Sequence, residues 1–154
     1  MKFIGRIEEL KKLSKIINSE NFTAALIFGR CRVGKSELVK YSLKENKELK
    51  IYYECKEVSE KSNVQGLSDI LSEELNLPQL KFEDIESILK YVFKLSITKK
   101  MILVLDEYSY LKKTINGIDS ILQVLIDKYK DKSKLSLIIL GSYVDIMKSM
   151  LLHS

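Results

Sequence analysis

Apolar residues along the chain fall into two kinds of pattern, stripes at helical spacing and short unbroken runs. Ile7, Leu10, Leu13, Ile16 and Ile17 share one face of a first helix, which breaks at Asn18 to Asn21. The run Phe22 to Phe28 predicts a strand, and Ser36 to about Glu45 predicts a helix with Leu38, Val39 and Leu43 inward. Past the polar turn ENKELK, Lys50 to Cys55 is rich in β-formers and predicts a short strand. Residues 59–77 read as a helical region carrying Val64, Leu67, Ile70, Leu71 and Leu75, with Pro78 as its stop. After the connector Asn76 to Lys81, a helix over about 83–97 lines up Ile85, Ile88, Leu89, Val92 and Leu95. Five consecutive apolar residues, Met101 to Leu105, then run into Asp106 and Glu107, as expected of a strand buried on both faces. A helix over about 117–130 turns Ile118, Ile121, Leu122, Leu125 and Tyr129 inward. Leu135 to Leu140 is the last strand, followed by Gly141-Ser142 and a helix with Tyr143, Met147, Met150 and Leu151. The order α-β-α-β-α-α-β-α-β-α predicts one α/β domain with a mainly parallel sheet.

The junction of the first strand and second helix carries chemistry. Its sequence is FGRCRVGKSEL, with the spacing Gly29-x4-Gly34-Lys35-Ser36 of a phosphate-binding P-loop in the strand–loop–helix setting that motif requires. Gly29 and Gly34 allow backbone angles that a Cβ obstructs, so the N–H groups of Arg30, Cys31, Arg32, Val33 and the residues up to Ser36 can curl around a β-phosphate. The helix start aims its positive dipole end at the same place. Lys35 adds a point charge at the β/γ-phosphates, and the Ser36 hydroxyl suits Mg2+. About 70 residues further on, Asp106 ends a buried strand as a magnesium-holding acid does. Glu107 beside it suits a general base for water attacking the γ-phosphate. Ser142, at the end of the strand expected between the other two, suits a γ-phosphate sensor. Cys31, inside an anion-binding loop, should be reactive without having a catalytic duty.

Composition narrows the setting. Of 154 residues, 31% are charged and 45% hydrophobic, ordinary for a globular domain, and no apolar run reaches the ~20 residues a membrane helix needs. The net charge of +5 rests on 23 Lys against 3 Arg, spread among acids, which argues for a solvated surface over a nucleic-acid footprint. The three arginines, Arg6, Arg30 and Arg32, all fall in or near the expected nucleotide contacts, where a planar fork of donors is useful. Two cysteines and no signal peptide point to cytoplasm.

Four motifs together resemble the archaeal ATPase family: Phe3-Ile4-Gly5-Arg6-x-x-Glu9-Leu10; Gly29 through Glu37-Leu38; Leu103-Val104-Leu105-Asp106-Glu107-Tyr108-x-Tyr110-Leu111; and Gly141-Ser142. The resemblance covers essentially the whole chain. It implies a three-layer P-loop NTPase of the additional-strand, catalytic-glutamate division with strand order 5-1-4-3-2, ATP and Mg2+ as ligands, and Arg6 on the adenine side. Cys31 stands where the family often has Arg, and Tyr108-Ser109 where Phe-Gln is more usual. The family's fifth strand, helical lid and winged helix lie outside residues 1–154. The expectation is therefore order 1-4-3-2, with the P-loop strand at an edge open to self-association and nucleic acid reached only through the C-terminal part. Slow ATP hydrolysis coupled to a switch is the leading expectation. A binding module without significant hydrolysis is an alternative, as is a small-molecule kinase, although no arginine follows Arg32 to supply a kinase lid.

Overall fold

The computed structural model describes the backbone of residues 7–28 and 34–141. Four strands, β1 (Thr23–Phe28), β2 (Leu49–Glu54), β3 (Met101–Asp106) and β4 (Leu135–Gly141), form one sheet. Its order is β1-β4-β3-β2, and every pairing is parallel. The expected order 1-4-3-2 is the observed one. Among the described residues β1 and β2 are the edge strands.

Helices cover both faces, which is why β3 reads as an unbroken apolar run from Met101 to Leu105 and β4 as an apolar run broken by Ser136 alone. Successive side chains of a strand point to opposite faces, and the two cores divide accordingly. Met101, Leu103 and Leu105 of β3, with Leu135, Leu137 and Ile139 of β4, face the larger core. That core is filled by α3 (Glu60–Leu75), α4 (Ile85–Leu95), α5 (Ser109–Thr114) and α6 (Ile118–Tyr129). Ile102, Val104, Ile138 and Leu140 face the other core, against α1 (Ile7–Ile17) and α2 (Lys35–Leu43). All of these strand residues are at most 1% exposed, each burial contributing roughly 1.5–3 kcal/mol before conformational entropy is set against it. Ser136, the polar residue within β4, sits on the α1 side and donates to the Ile16 carbonyl at 2.6 Å, fastening the end of α1 to the sheet.

Several boundaries differ from the sequence reading. The helix expected to stop at Pro78 ends at Leu75. Asn76 is left-handed (φ 55°), and the Leu77 N–H reaches back to the Ser72 carbonyl at 3.0 Å, so a backbone cap and not the proline terminates it. The next helix begins later than expected because Asp84 and Ser87 form a reciprocal cap. The short α5 is an element the periodicity did not disclose: six residues carry too few inward positions to form a stripe. No described helix is long and apolar enough to cross a membrane.

Candidate nucleotide site

The carboxyl ends of the four strands lie together, where ligands of open parallel sheets bind. Here α2 begins. Gly34 adopts φ 94°, a left-handed conformation that disfavours a side chain, and α2 starts without a side-chain cap. A helix start of this kind, preceded by a glycine turn, suits an anion. Lys35, the first residue of α2, is buried, and its ammonium donates to the Gly141 carbonyl at the end of β4 at 3.1 Å. The cation expected to meet phosphates is thus held directly above the strand adjoining β1.

Ser36 joins the two distant halves of the site. Its hydroxyl donates to Asp106 Oδ2 at 2.6 Å, across 70 residues of sequence. Asp106 is 4% exposed and is held from the other side by the Glu107 N–H, which donates to Oδ1 at 2.8 Å. A hydroxyl and a carboxylate converging at a helix start are hard oxygen donors of the kind magnesium takes together with substrate phosphates. One hydroxyl and one carboxylate are fewer ligands than a hard divalent cation takes, so the pair fits an ion that completes its shell with phosphate oxygens and water.

Glu107 follows in a left-handed conformation, φ 56°, unusual for a residue with a side chain. It is 8% exposed. The turn is fixed by its neighbours: the Tyr108 N–H donates to the Leu140 carbonyl and the Tyr110 N–H to the Glu107 carbonyl, both at 3.0 Å. Tyr108 is fully buried; its hydroxyl donates to Asp119 at the start of α6, and Lys112 of α5 pairs with the same carboxylate. Burial pushes the Tyr108 phenol above its ordinary pKa and the Lys112 ammonium below its own. The acidic end of β3 is therefore tied to two helices outside the site.

A residue the sequence reading passed over completes the cluster. The Tyr52 hydroxyl, on β2, donates to Asp106 Oδ2, beside the Ser36 bond. Its phenol is raised above the ordinary value by burial first and by the Asp106 carboxylate second. The Lys40 ammonium of α2 lies 5.2 Å from the centre of its ring. The signal was parity: Tyr52 pairs with Val104, so it shares a sheet face with Val104 and Asp106 and stands two residues from the end of its strand.

The structure thus brings Gly34, Lys35, Ser36, Asp106 and Glu107 to one end of the sheet. Glu37 is exposed on the first turn of α2. Arg6, Gly29, Arg30, Cys31, Arg32, Val33 and Ser142, all named from the sequence, lie outside the described residues.

Comparison with known proteins fits this geometry. The model of a family described as an ATPase domain predominantly from Archaea matches residues 3–152. An uncharacterised protein of Methanocaldococcus jannaschii is 32% identical over 145 residues, which are 94% of this chain and 30% of that protein. Among solved structures, the Walker-type ATPase of Pyrococcus abyssi superposes with TM-score 0.68 at 23% identity, over 95% of this chain and 47% of the other. Cdc6p from Pyrobaculum aerophilum gives TM-score 0.68 at 18% identity, over 96% and 41%. The ORC2 protein of Aeropyrum pernix gives 0.62 at 14%, over 95% and 43%. The chain spans less than half the length of each of these proteins.

Proposed function

The chain belongs to the family of ATPase domains found predominantly in Archaea, and from that premise we propose that it binds ATP with Mg2+ and hydrolyses it slowly, as a nucleotide-dependent switch. The observation that carries this reading is the 2.6 Å bond from Ser36 to Asp106. It brings the residue after the loop lysine to the acid that ends a buried strand, which supports a shared place for a phosphate and its cation. Lys35 supplies the positive charge at the β/γ-phosphates. Gly29, Arg30, Cys31, Arg32, Val33 and Gly34 supply the N–H cradle, and Arg6 contacts the base side. Ser36 and Asp106 hold the magnesium ion, which when bound neutralises charge on the phosphate oxygens. Glu107 accepts the proton of the water that attacks the γ-phosphate, with Ser142 sensing that phosphate.

For residues 1–154 assayed on their own, slow turnover is the expectation. An arginine finger is worth about 10³–10⁵ in rate where one is used, and no arginine follows Arg32 in this sequence. The switch reading rests on the path from Glu107 through Tyr108 to Asp119 and Lys112, which links the phosphate end of β3 to α5 and α6. Among the described residues β1 is an edge strand, and such an edge accepts a further strand, a second copy of the chain being one source. The test is calorimetric titration with ATP and Mg2+, followed by steady-state phosphate release at saturating Mg-ATP over a range of protein concentrations. Binding with turnover well below the ~1–100 s⁻¹ typical of kinases is expected. Absence of ATP binding overturns the site, and fast turnover independent of concentration overturns the arginine argument.

A further inference from the structure

We propose that Tyr52 is a positioning residue for the cation end of the site: its hydroxyl, together with that of Ser36, locks Asp106 Oδ2 and thereby sets how tightly the nucleotide's magnesium ion is held. The inference rests on the nucleotide reading above and adds a residue to it. An ionised carboxylate offers about four lone-pair sites. Three of those on Asp106 are taken by donors of this chain: Ser36 and Tyr52 on Oδ2, and the Glu107 N–H on Oδ1. With Oδ2 doubly engaged, the carboxylate plane cannot turn without breaking two bonds. The Ser36 proton is directed at Asp106, which leaves the lone pairs of its oxygen turned away from the carboxylate. Without Tyr52, Asp106 keeps one side-chain donor among the described residues, and that donor belongs to the residue whose oxygen must also serve the cation.

The placement follows from the fold. Period two puts Ile102, Val104 and Asp106 on the α2 face of β3, and the β2 register, Tyr52 opposite Val104 and Glu54 opposite Asp106, puts Tyr52 on the same face. A phenol two residues short of the strand end reaches diagonally to the terminal carboxylate, whereas a shorter polar side chain at position 52 would fall short of it. The ring also packs at the margin of the smaller core and lies under Lys40, contacts that phenylalanine keeps.

The test compares wild type, Tyr52→Phe, Asp106→Asn and the double variant by calorimetric titration with ADP, at graded Mg2+ and in EDTA. Partners that orient a cation's ligands typically change cation affinity or activity by about 10–100-fold when removed. Tyr52→Phe is expected to raise the Mg2+ concentration for half-maximal enhancement of ADP binding at least tenfold, with ADP affinity in EDTA unchanged. In the Asp106→Asn background the same substitution should have no further effect, because Tyr52 acts through that carboxylate. An unchanged Mg2+ requirement overturns the proposal. So does an equal loss of ADP affinity in EDTA or an undiminished effect in the double variant, either of which marks Tyr52 as a packing residue. If wild type fails to bind ADP with or without Mg2+, the nucleotide reading falls and the proposal with it. Wild-type binding with an indifferent Tyr52→Phe leaves that reading standing and removes the proposal alone.

Discussion

Replacing Glu107 by glycine is expected to relieve backbone strain at the turn and to abolish the proposed ATP hydrolysis. Glu107 sits at φ 56°, where a residue with a Cβ pays about 1–2 kcal/mol relative to the right-handed region. Glycine relieves that strain but has a freer unfolded chain, which takes back about 0.4–1 kcal/mol. A second contribution has the same sign as the relief: the Glu107 carboxylate follows directly on Asp106 in a turn where both are under 10% exposed, and adjacent like charges repel. The backbone bonds that shape the turn, Glu107 N–H to Asp106, Tyr108 N–H to Leu140 and Tyr110 N–H to Glu107, use no Glu107 side-chain atom and survive the change. The backbone relief amounts to about 1 kcal/mol, or about 2–4 °C in thermal midpoint for a domain of this size, less what the Glu107 carboxylate contributes through its own contacts. Glu107→Gln separates the two effects. It keeps the Cβ and its strain, so it should melt close to wild type apart from the relieved repulsion, yet it cannot take up a proton. Both variants should lower phosphate release at least tenfold, in line with the ~10²–10⁴ that general-base catalysis contributes. The assays are circular-dichroism melting in EDTA and phosphate release at saturating Mg-ATP. A glycine variant less stable than wild type would refute the strain argument and make the carboxylate a structural part of the turn. Undiminished release by Glu107→Gln would refute its role as proton acceptor.

Lys35→Ala should weaken ATP binding roughly 10–100-fold, the loss expected of one charge-assisted bond of about 1.5–3 kcal/mol; unchanged calorimetric affinity would sink the loop assignment. Gly66→Ala should lower the thermal midpoint despite the gain of about 1 kcal/mol in helix propensity. Its new Cβ would stand 2.9 Å from Tyr53 Cε1 and 3.1 Å from the hydroxyl. That ring is buried and bonded to Asn63, and crowding of this kind costs about 1–3 kcal/mol; a raised midpoint would mean the ring yields freely. Cys55 is 1% exposed and burial pushes its thiol pKa up, so alkylation of the native protein at neutral pH should spare it. Modification of Cys31 should be slowed by Mg-ATP, and equal rates with and without nucleotide would place Cys31 outside the site.

Much of the fold was legible because the signals were local or repetitive. The run at 101–105 announces a strand covered on both faces and Leu135 to Leu140 a further strand, and the register and the two cores bear out both. What escaped depends on contacts with no counterpart in period or composition. Phe93 and Ile126 are buried although neither belongs to the inward stripe expected of its helix. Leu95 and Ile121, which do belong to those stripes, are only partly buried. The helices are covered over more than one stripe because α4 and α6 pack on each other as well as on the sheet. The stop at Asn76 was hidden by the more conspicuous proline two residues later, although a left-handed asparagine ends a helix by itself.

The site divides along the same line. The spacing of Gly34, Lys35 and Ser36 is fixed within one turn of chain, and the chemistry of phosphate binding dictates those residue types, so the motif could be read directly. Asp106 was legible one step less directly, as an acid at the end of a run that only a central strand could satisfy. Tyr52 requires two further steps, the neighbour order of β2 and β3 and their register, and neither is encoded near position 52. Once Asp106 is taken as the end of its strand, however, the question becomes which residue of the adjacent strand shares its face and is long enough to reach it. Within Leu49–Glu54 that parity selects Lys50, Tyr52 and Glu54. Lys50 is spent on the Leu43 carbonyl at the far end of α2, and Glu54 would set a second carboxylate against the first. Tyr52 alone combines reach with a proton to donate, so the fold order and the charge of Asp106 together single it out.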